Sequence, residues 1–295
     1  MKYSRVLLIL FLSLLFITCR HATQDAQKGG DIDTIDIQQL TEERLAEIYH
    51  RFPSPDEMLF LLHEKQIAYQ PALVNNPERA DNYLTSMSQA LNLGVYVADF
   101  AYISAFKRFK ESSAYFESIY QLCDNLNISS AFERSVLKRI QDNINNPDSL
   151  KSISDVAFRS VNSYLISNNK EKTFALISIG GFVEALYLTF ELAAVLPSDS
   201  TIKQHIADQK YVLDNIVEFS SFYSDNNDIP KALEMISEIT GAYAKAEIIV
   251  EETKTTKTAD GKLVISGGDR IYMPDNLYQQ LHKATVKVRN QFIQL

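Results

Sequence analysis

The chain has 295 residues, of which 46% are hydrophobic and 22% are charged, and its formal net charge at pH 7 is −8. This length and apolar content are sufficient for one sizeable hydrophobic core. The acidic balance argues against nucleic acid as a partner, because phosphate backbones attract basic surfaces.

The first nineteen residues have the pattern of a lipoprotein export signal. Lys2 and Arg5 give a positive start, residues 6–17 form a 12-residue apolar run, and a small residue precedes Cys19. A membrane-spanning helix needs about 20 apolar residues, so this run is too short to span and residues 1–18 are predicted to be removed. Cys19 is then the predicted lipidation site and the first residue of the mature chain.

The residues around the cysteine favour an outer-membrane anchor. Arg20 stands where an aspartate would, in many bacteria, retain a lipoprotein at the inner membrane. No acidic run of the kind that some surface-export signals need follows directly, which favours the periplasmic face. An ordinary secretory signal with an incidental Cys19 is the alternative, and it also exports the protein. Residues 19–36 are polar, lack apolar periodicity and are predicted to form a flexible tether.

Residues 37–295 are predicted to form a single all-α domain, an irregular antiparallel helical bundle with a small β-hairpin near the C-terminus. Apolar residues recur at intervals of three and four as far as about residue 250, as on the face of an amphipathic helix. Short loops between long helices favour antiparallel neighbours. A helical solenoid is the second choice, because no fixed period separates the predicted helix starts, which lie near residues 77, 112, 130, 148, 170, 200 and 230.

Capping residues mark several of these starts. Ser54-Pro55-Asp56-Glu57 is a capping box, and asparagine precedes proline at Asn76-Pro77 and again at Asn146-Pro147. Further helices are predicted over residues 112–125, 130–145, 148–167, 170–196, 200–224 and 230–250.

The hairpin is predicted over about residues 251–266. Residues 251–258 are rich in threonine, Asp260-Gly261 favours a two-residue turn, and residues 262–265 can return as the second strand. Because two strands alone are only marginally stable, the hairpin must pack against the helices. Ser266-Gly267-Gly268-Asp269 predicts a turn after the hairpin, with an anion-binding nest of amides as the alternative.

A final amphipathic helix is predicted to open at Pro274-Asp275. Its apolar face consists of Leu277, Leu281, Ala284, Val288 and Phe292.

Catalytic and metal-binding motifs are incomplete in this chain, so no catalytic residue, metal or cofactor is predicted. Glu47-Ile48-Tyr49-His50 is one Glu-x-x-His motif where a di-iron bundle needs two. His63-Glu64 begins a zincin-like motif, but Ile67 stands at the second ligand position. The elements that imitate the serine β-lactamase set are rejected because Ala259 replaces the required glycine and the multi-stranded sheet is absent. They are Ser135-Val136-Leu137-Lys138, Ser224-Asp225-Asn226 and Lys257-Thr258-Ala259.

Cys123 lies in an apolar helical context and is predicted to be a buried, inert thiol. With Cys19 lipidated it has no intramolecular partner, so this exported chain uses no disulfide.

Two helical stretches combine glycine with other small residues, and we expect them to touch. Gly94, Ala98, Ala101 and Ala105 line one stretch, and Ser178, Gly181 and Ala185 line the other. An interior glycine costs about 1 kcal/mol relative to alanine, and close approach of two backbones is a reason to accept that cost.

Contact between these stretches would bring Asp99 and Glu184 together with Tyr96, Tyr102 and Tyr187 in apolar surroundings. One interpretation is a ligand pocket or an acid/base pair with shifted pKa values. The other is a structural network of carboxylates, tyrosine hydroxyls and helix caps.

These two stretches, together with Val286-Lys287-Val288-Arg289-Asn290, resemble an uncharacterised family of all-helical bacterial lipoproteins of about this length. The resemblance covers most of the mature chain. It implies a helical fold and an envelope location, but no established activity and no catalytic residues.

The leading functional prediction is a non-enzymatic, outer-membrane-anchored module that binds an envelope protein or a small ligand. One alternative is a glycan- or nutrient-binding accessory lipoprotein, although the absence of tryptophan removes the best stacking platform. The other alternative is an enzyme that uses Asp99 and Glu184. Solvent access to these two carboxyl groups distinguishes a binder from an enzyme, and a large exposed apolar patch elsewhere would indicate a protein partner.

Overall fold

A computed structural model describes residues 67–131, 139, 161, 163–196, 199–225, 227–257 and 263–295. Several predicted features lie outside the described residues. They are the export signal, Cys19 and the tether over 19–36, the capping box at 54–57, the motifs at 47–50 and 63–64, the helices over 130–145 and most of 148–167, and the turn at 260–261.

The described residues are mainly helical, and a small antiparallel sheet lies near the C-terminus, so the predicted fold class is confirmed. A 3-10 helix over Pro77–Asn82 precedes the α-helices, and another short one covers Ser129–Ala131. The α-helices are α1 (Ser86–Ala105), α2 (Phe109–Asn125), α3 (Glu171–Ala193), α4 (Ser200–Ser221), α5 (Asp228–Met235), α6 (Ser237–Tyr243) and α7 (Asp275–Phe292).

The helix start predicted at Asn76-Pro77 is confirmed, whereas the single helix predicted over 230–250 is wrong. Asn76 does cap a helix, since its side chain accepts a hydrogen bond from the amide of Glu78, but this 3-10 helix ends after two turns. The following α1 has its own capping box, in which Thr85 and Ser88 exchange hydrogen bonds. The helix predicted over 230–250 is instead α5 and α6, because the β-branched residues from Ile248 onward belong to a strand.

Helix α3 forms the centre of the described bundle and packs against α1, α4, α5 and α7. Among the described helices it is the one long and apolar enough to cross a membrane, yet 72% of its most apolar 18-residue window is buried inside the domain. A helix that is apolar on all sides is typical of the core of a protein. Glu184 is nevertheless among its buried residues.

Helix α7 packs on α3 with the opposite direction, since Glu184 pairs with Arg289 and Glu191 with His282. The predicted apolar face is confirmed, because all five of its residues are buried. The C-terminal turn of α7 is tied to α1 by Asn92, whose amide donates to the carbonyl of Phe292 at 2.8 Å.

The hairpin consists of β1 (Glu247–Lys257) and β2 (Leu263–Tyr272), so both strands extend beyond the predicted limits. It packs against the helices, as predicted, and the helix it contacts is α4: Ile271 is buried, and its carbonyl accepts a hydrogen bond from the side chain of Gln204 at 3.0 Å. Both strands are edges of this two-stranded sheet.

The turn or anion nest predicted at 266–269 is wrong, because these residues continue β2 through a β-bulge. Glu251 pairs with Gly268 and Lys254 with Ser266, so two residues of β1 oppose the single Gly267. Gly267 has a φ of +86°, and an added Cβ would lie 2.2 Å from a backbone oxygen of β1. Glycine is required here for the bulge rather than for a turn.

Candidate functional site

The two glycine-bearing stretches meet where α1 crosses α3, which confirms the predicted contact. A Cβ atom added to Gly94 would lie 2.1 Å from the backbone oxygen of Ile177, and one added to Gly180 would lie 1.9 Å from that of Leu91. No side chain fits at such distances, so glycine alone lets these backbones approach so closely. Gly181 has more room, with 3.4 Å between an added Cβ and the Gly94 oxygen.

Asp99 of α1 and Glu184 of α3 follow this crossing, and both are 0% exposed. Their carboxyl groups lie close enough to influence each other's pKa. Burial raises the pKa of Asp99 well above its ordinary value, and the negative charge of Glu184 raises it further. Burial also raises the pKa of Glu184, whereas the positive charge of Arg289 opposes that shift.

Arg289 of α7 supplies a buried positive charge beside the two carboxyl groups. Its Nε donates to Glu184 Oε2 at 3.0 Å and its Nη2 donates to Glu184 Oε1 at 3.2 Å, which makes a bidentate pair. The guanidinium also lies over the ring of Tyr187, 4.6 Å from the ring centroid. Burial disfavours the charged guanidinium, but the carboxylates of Glu184 and Asp99 outweigh this and raise the pKa of Arg289.

Asp99, Glu184 and Arg289, with Tyr96, Tyr102 and Tyr187, form a polar cluster. This cluster also binds the main chain of residues 67–76, which have no regular secondary structure and which we call the docked segment. The hydroxyl of Tyr102 accepts a hydrogen bond from the amide of Gln70 at 2.8 Å. Oδ2 of Asp99 accepts one from the amide of Asn75 at 3.0 Å. Two helix side chains thus accept hydrogen bonds from main-chain amides that no regular secondary structure satisfies, and the Asn75 amide among them is buried.

Two further bonds reach carbonyl groups of the docked segment. Nη2 of Arg289 donates to the carbonyl of Leu73 at 3.0 Å, and the hydroxyl of Tyr96 donates to that of Asn76 at 2.8 Å. All four bonds go to the main chain. The cluster therefore fixes the path of the docked segment over α1 and α7.

The structure gives the five predicted residues two different tasks. Asp99 and Glu184 lie close together, and Tyr187 joins them through Arg289. Tyr96 and Tyr102 bind the docked segment instead of the carboxyl groups.

This geometry favours the structural network over the ligand pocket. Acid/base catalysis requires that a substrate reach the carboxyl groups, and neither Asp99 nor Glu184 has any exposed surface. Their polar atoms bind the docked segment and Arg289. The chemistry open to this arrangement is to keep a guanidinium in the core beside two carboxyl groups that can bind a proton.

Arg289 and Asn75 are the members of the cluster that the sequence reasoning missed. Arg289 follows Leu281 and Thr285 at successive intervals of four residues, so it lies on the buried face of α7. A cation on an apolar face, in a chain with two carboxylates on other apolar faces, is a signal that could have found it. Asn75 acts through its backbone amide, and no sequence pattern marks it.

The remaining candidates have structural surroundings. Cys123 is fully buried, which confirms the prediction, and burial raises the pKa of its thiol. Asp225 of the rejected β-lactamase set forms an exposed ion pair with Lys172 at 2.9 Å. Within the described ranges, no three or more His, Cys, Asp or Glu side chains group as a metal site.

Comparison of the chain with protein-family models, with curated proteins and with solved structures finds no match in any of the three. The resemblance to helical bacterial lipoproteins stays a prediction from the sequence.

Proposed function

We propose that the protein is a non-enzymatic binding module of the bacterial envelope, anchored to the outer membrane by a lipid on Cys19 and facing the periplasm. The observation that carries this proposal is the N-terminal pattern, in which a positive start, a short apolar run and a small residue precede the cysteine. Membership of the helical lipoprotein family belongs to the same proposal.

The burial of the polar cluster supports a binding role rather than an enzymatic one. Asp99 and Glu184 are the carboxyl groups that the enzyme alternative needs, and both are closed off from solvent. Their raised pKa values follow from burial, which structural networks produce as readily as active sites do.

Exposed apolar side chains on the hairpin support a protein as the partner. Large exposed hydrophobic residues mark interaction surfaces when they concentrate in one region, and an unpaired strand edge offers main-chain hydrogen bonds to a second chain. The exposed fractions on the hairpin are 50% for Ile248, 76% for Val250, 70% for Leu263 and 44% for Tyr272.

A feature of α4 favours the glycan-binding alternative. Tyr211 of α4 and Phe222, the C-cap residue directly after α4, are 42% and 44% exposed, and their spacing of about three helical turns puts them on one side of the helix. Aromatic rings of this kind can stack on sugar rings, although tyrosine and phenylalanine offer smaller platforms than tryptophan.

Lipidation is tested by metabolic labelling with a fatty acid that carries an alkyne. We expect label on the wild-type protein in the outer-membrane fraction, and none on Cys19→Ala. Equal labelling of both proteins, or none on the wild type, contradicts the anchor.

The binding surface is tested by placing a photo-crosslinking residue at Val250 in the lipidated protein, in intact envelopes. Glu117, an exposed residue of α2, is the matched control position. We expect one defined protein adduct from Val250 that is absent from Glu117 and lost in Cys19→Ala. Identical adducts from both positions contradict a hairpin interface, and glycan binding that is lost on Tyr211→Ala would instead support the alternative.

A further inference from the structure

The charges of the buried cluster do not balance if both carboxyl groups are ionised. Asp99 and Glu184 would then carry two negative charges against the single positive charge of Arg289, in a place where all three groups are almost without solvent contact. Removing an uncompensated charge from water is strongly unfavourable. A proton on one carboxyl group makes the cluster neutral.

The hydrogen bonds identify Asp99 as the group that holds this proton. Glu184 receives the bidentate guanidinium of Arg289, so it is stabilised as the anion. Asp99 instead uses Oδ2 for the amide of Asn75, while its buried Oδ1 has no donor in the part of the chain that the structure describes. Glu184 lies close to Asp99, so a proton on the unpartnered Oδ1 would make Asp99 a donor beside an acceptor instead of a second acceptor.

The titratable groups around Asp99 come from every helix packed against it. Besides Glu184 and Arg289, the neighbours are phenols: Tyr96 and Tyr102 on α1, Tyr115 on α2 and Tyr187 on α3. Burial raises the pKa of all four phenols above their ordinary value. They therefore stay neutral, and Arg289 is the sole cation among these neighbours.

We propose that Asp99 carries a proton at neutral pH, donates it from Oδ1 to Glu184, and thereby makes the attachment of the docked segment dependent on pH. Loss of this proton to solvent breaks the bond between the two carboxyl groups and leaves two negative charges in contact. The helices α1 and α3 are in direct backbone contact at Gly94 and Gly180, and separating them would lose that close packing. The docked segment, held by Asp99 and Arg289 through single bonds to Asn75 and Leu73, is the part that can yield.

The direction of the pH effect follows from the raised pKa of Asp99. The folded protein keeps this proton at pH values where the unfolded chain has lost it, so the proton's contribution to stability is complete below the ordinary aspartate value of 3.8. The contribution decreases as the pH rises from there through the raised pKa. A rise in pH through the titration of Asp99 thus loosens the docked segment.

The protonation state is tested by NMR of the full chain with 13C at the aspartate Cγ. In the wild type we expect one aspartate resonance to keep the chemical shift of a protonated carboxyl at pH 7. Asp99→Asn should remove that resonance, and Asp214→Asn, which removes an exposed carboxyl of α4, should retain it. If every aspartate of the wild type is ionised at pH 7, the proposal is wrong, and this result needs no variant to fold.

The effect on the docked segment is tested by hydrogen exchange at the amides of Gln70 and Asn75. We expect their protection factors in the wild type to fall at least tenfold as pH rises through the titration of the Asp99 resonance. Asp99→Asn keeps an acceptor for Asn75 and offers an amide donor to Glu184, so its protection should stay level. Unchanged protection in the wild type while Asp99 titrates would overturn the coupling between the proton and the docked segment.

Discussion

The helix crossing and the β-hairpin have opposite distributions of side chains. At the crossing of α1 and α3, an aspartate, a glutamate and an arginine are buried, and glycines replace larger residues. On the hairpin, Ile248 and Val250 are at least half exposed. Buried charge and exposed apolar surface are both costly for a folded domain, so each requires a reason.

The reasons differ between the two regions. The polar side chains at the crossing bind other groups of the same domain, with Oδ1 of Asp99 as an exception among the described residues, and the product is a fixed path for the docked segment. The exposed apolar side chains of the hairpin are not covered by other residues of the described chain. The unusual residues of the core therefore bind each other and the docked segment, whereas those of the hairpin are exposed to solvent.

The largest expected effect breaks the ion pair at the crossing. Arg289→Met leaves Glu184 as a buried charge without its partner and removes the donor to the Leu73 carbonyl. We expect a loss of about 3–5 kcal/mol in the free energy of unfolding, measured by denaturant titration.

Lys287→Met is the matched control on the same helix. Lys287 pairs with Glu238 at the surface, where both side chains are more than half exposed. Exposed pairs of this kind contribute about 0–1 kcal/mol, so this variant should unfold close to the wild type. Equal losses in both variants would show that the buried pair does no more than a surface pair.

The second effect concerns the glycines. Gly94→Ala places a methyl group within 2.1 Å of the Ile177 oxygen, so α1 and α3 must move apart. We expect a loss of about 1–3 kcal/mol, the usual cost of overpacking. Gly241→Ala is the control, because an added Cβ in α6 meets nothing within 4 Å, and it should gain about 0.4–1 kcal/mol. Thermal unfolding of both variants decides whether close approach explains the glycine at 94.

The helix crossing also shows which contacts the sequence could predict and which it could not. Small residues at helical spacing are a local pattern, and the contact between their stretches followed from it. Asp99 and Glu184 were placed together for the same reason. Arg289 lies 105 residues beyond Glu184, and no local pattern states which helix of a bundle packs on which. The position of Arg289 on the apolar face of α7 could have marked it as a buried cation, but its pairing with these two carboxyl groups could not be read from a local pattern.

The hairpin shows a second limit of prediction from the sequence. Its existence followed from threonine and turn residues, but its extent did not. Gly267-Gly268 reads as a turn because glycine is common in turns, whereas the structure uses Gly267 inside β2, opposite two residues of β1. A β-bulge is defined by the partner strand, so a single strand's sequence cannot distinguish it from a turn.

A smaller effect sharpens the role of the docked segment. Tyr102→Phe removes the acceptor of the Gln70 amide but keeps the ring packed against Phe106. We expect a loss of about 1 kcal/mol, together with faster proteolysis within residues 67–76. Tyr272→Phe, on the hairpin and 44% exposed, should change stability by less than about 0.5 kcal/mol. Slower or unchanged proteolysis of Tyr102→Phe would contradict attachment of the segment through its main chain.

The smallest effect on stability is expected on the hairpin, and it is the most informative about function. Val250 is 76% exposed and pairs across the sheet with Asp269, so a lysine at 250 loses little burial and gains an opposite charge as its cross-strand neighbour. Val250→Lys should therefore change the free energy of unfolding by less than about 0.5 kcal/mol. Thr255→Lys adds the same charge at an exposed position of the same strand without removing an apolar side chain.

The partner adduct distinguishes these two lysine variants. With the photo-crosslinking residue placed at Ile248, which is 50% exposed on the same strand, capture of the partner should be lost with Val250→Lys, because a charge replaces apolar contact area in the proposed interface. It should be kept with Thr255→Lys. Loss in both variants would mean that added positive charge, not missing apolar area, disrupts binding. Capture that survives in both would move the interface away from the hairpin. The exposed residues of α4 would then be the next surface to examine, since Tyr211 and Phe222 are the aromatic pair that one helix face presents to solvent.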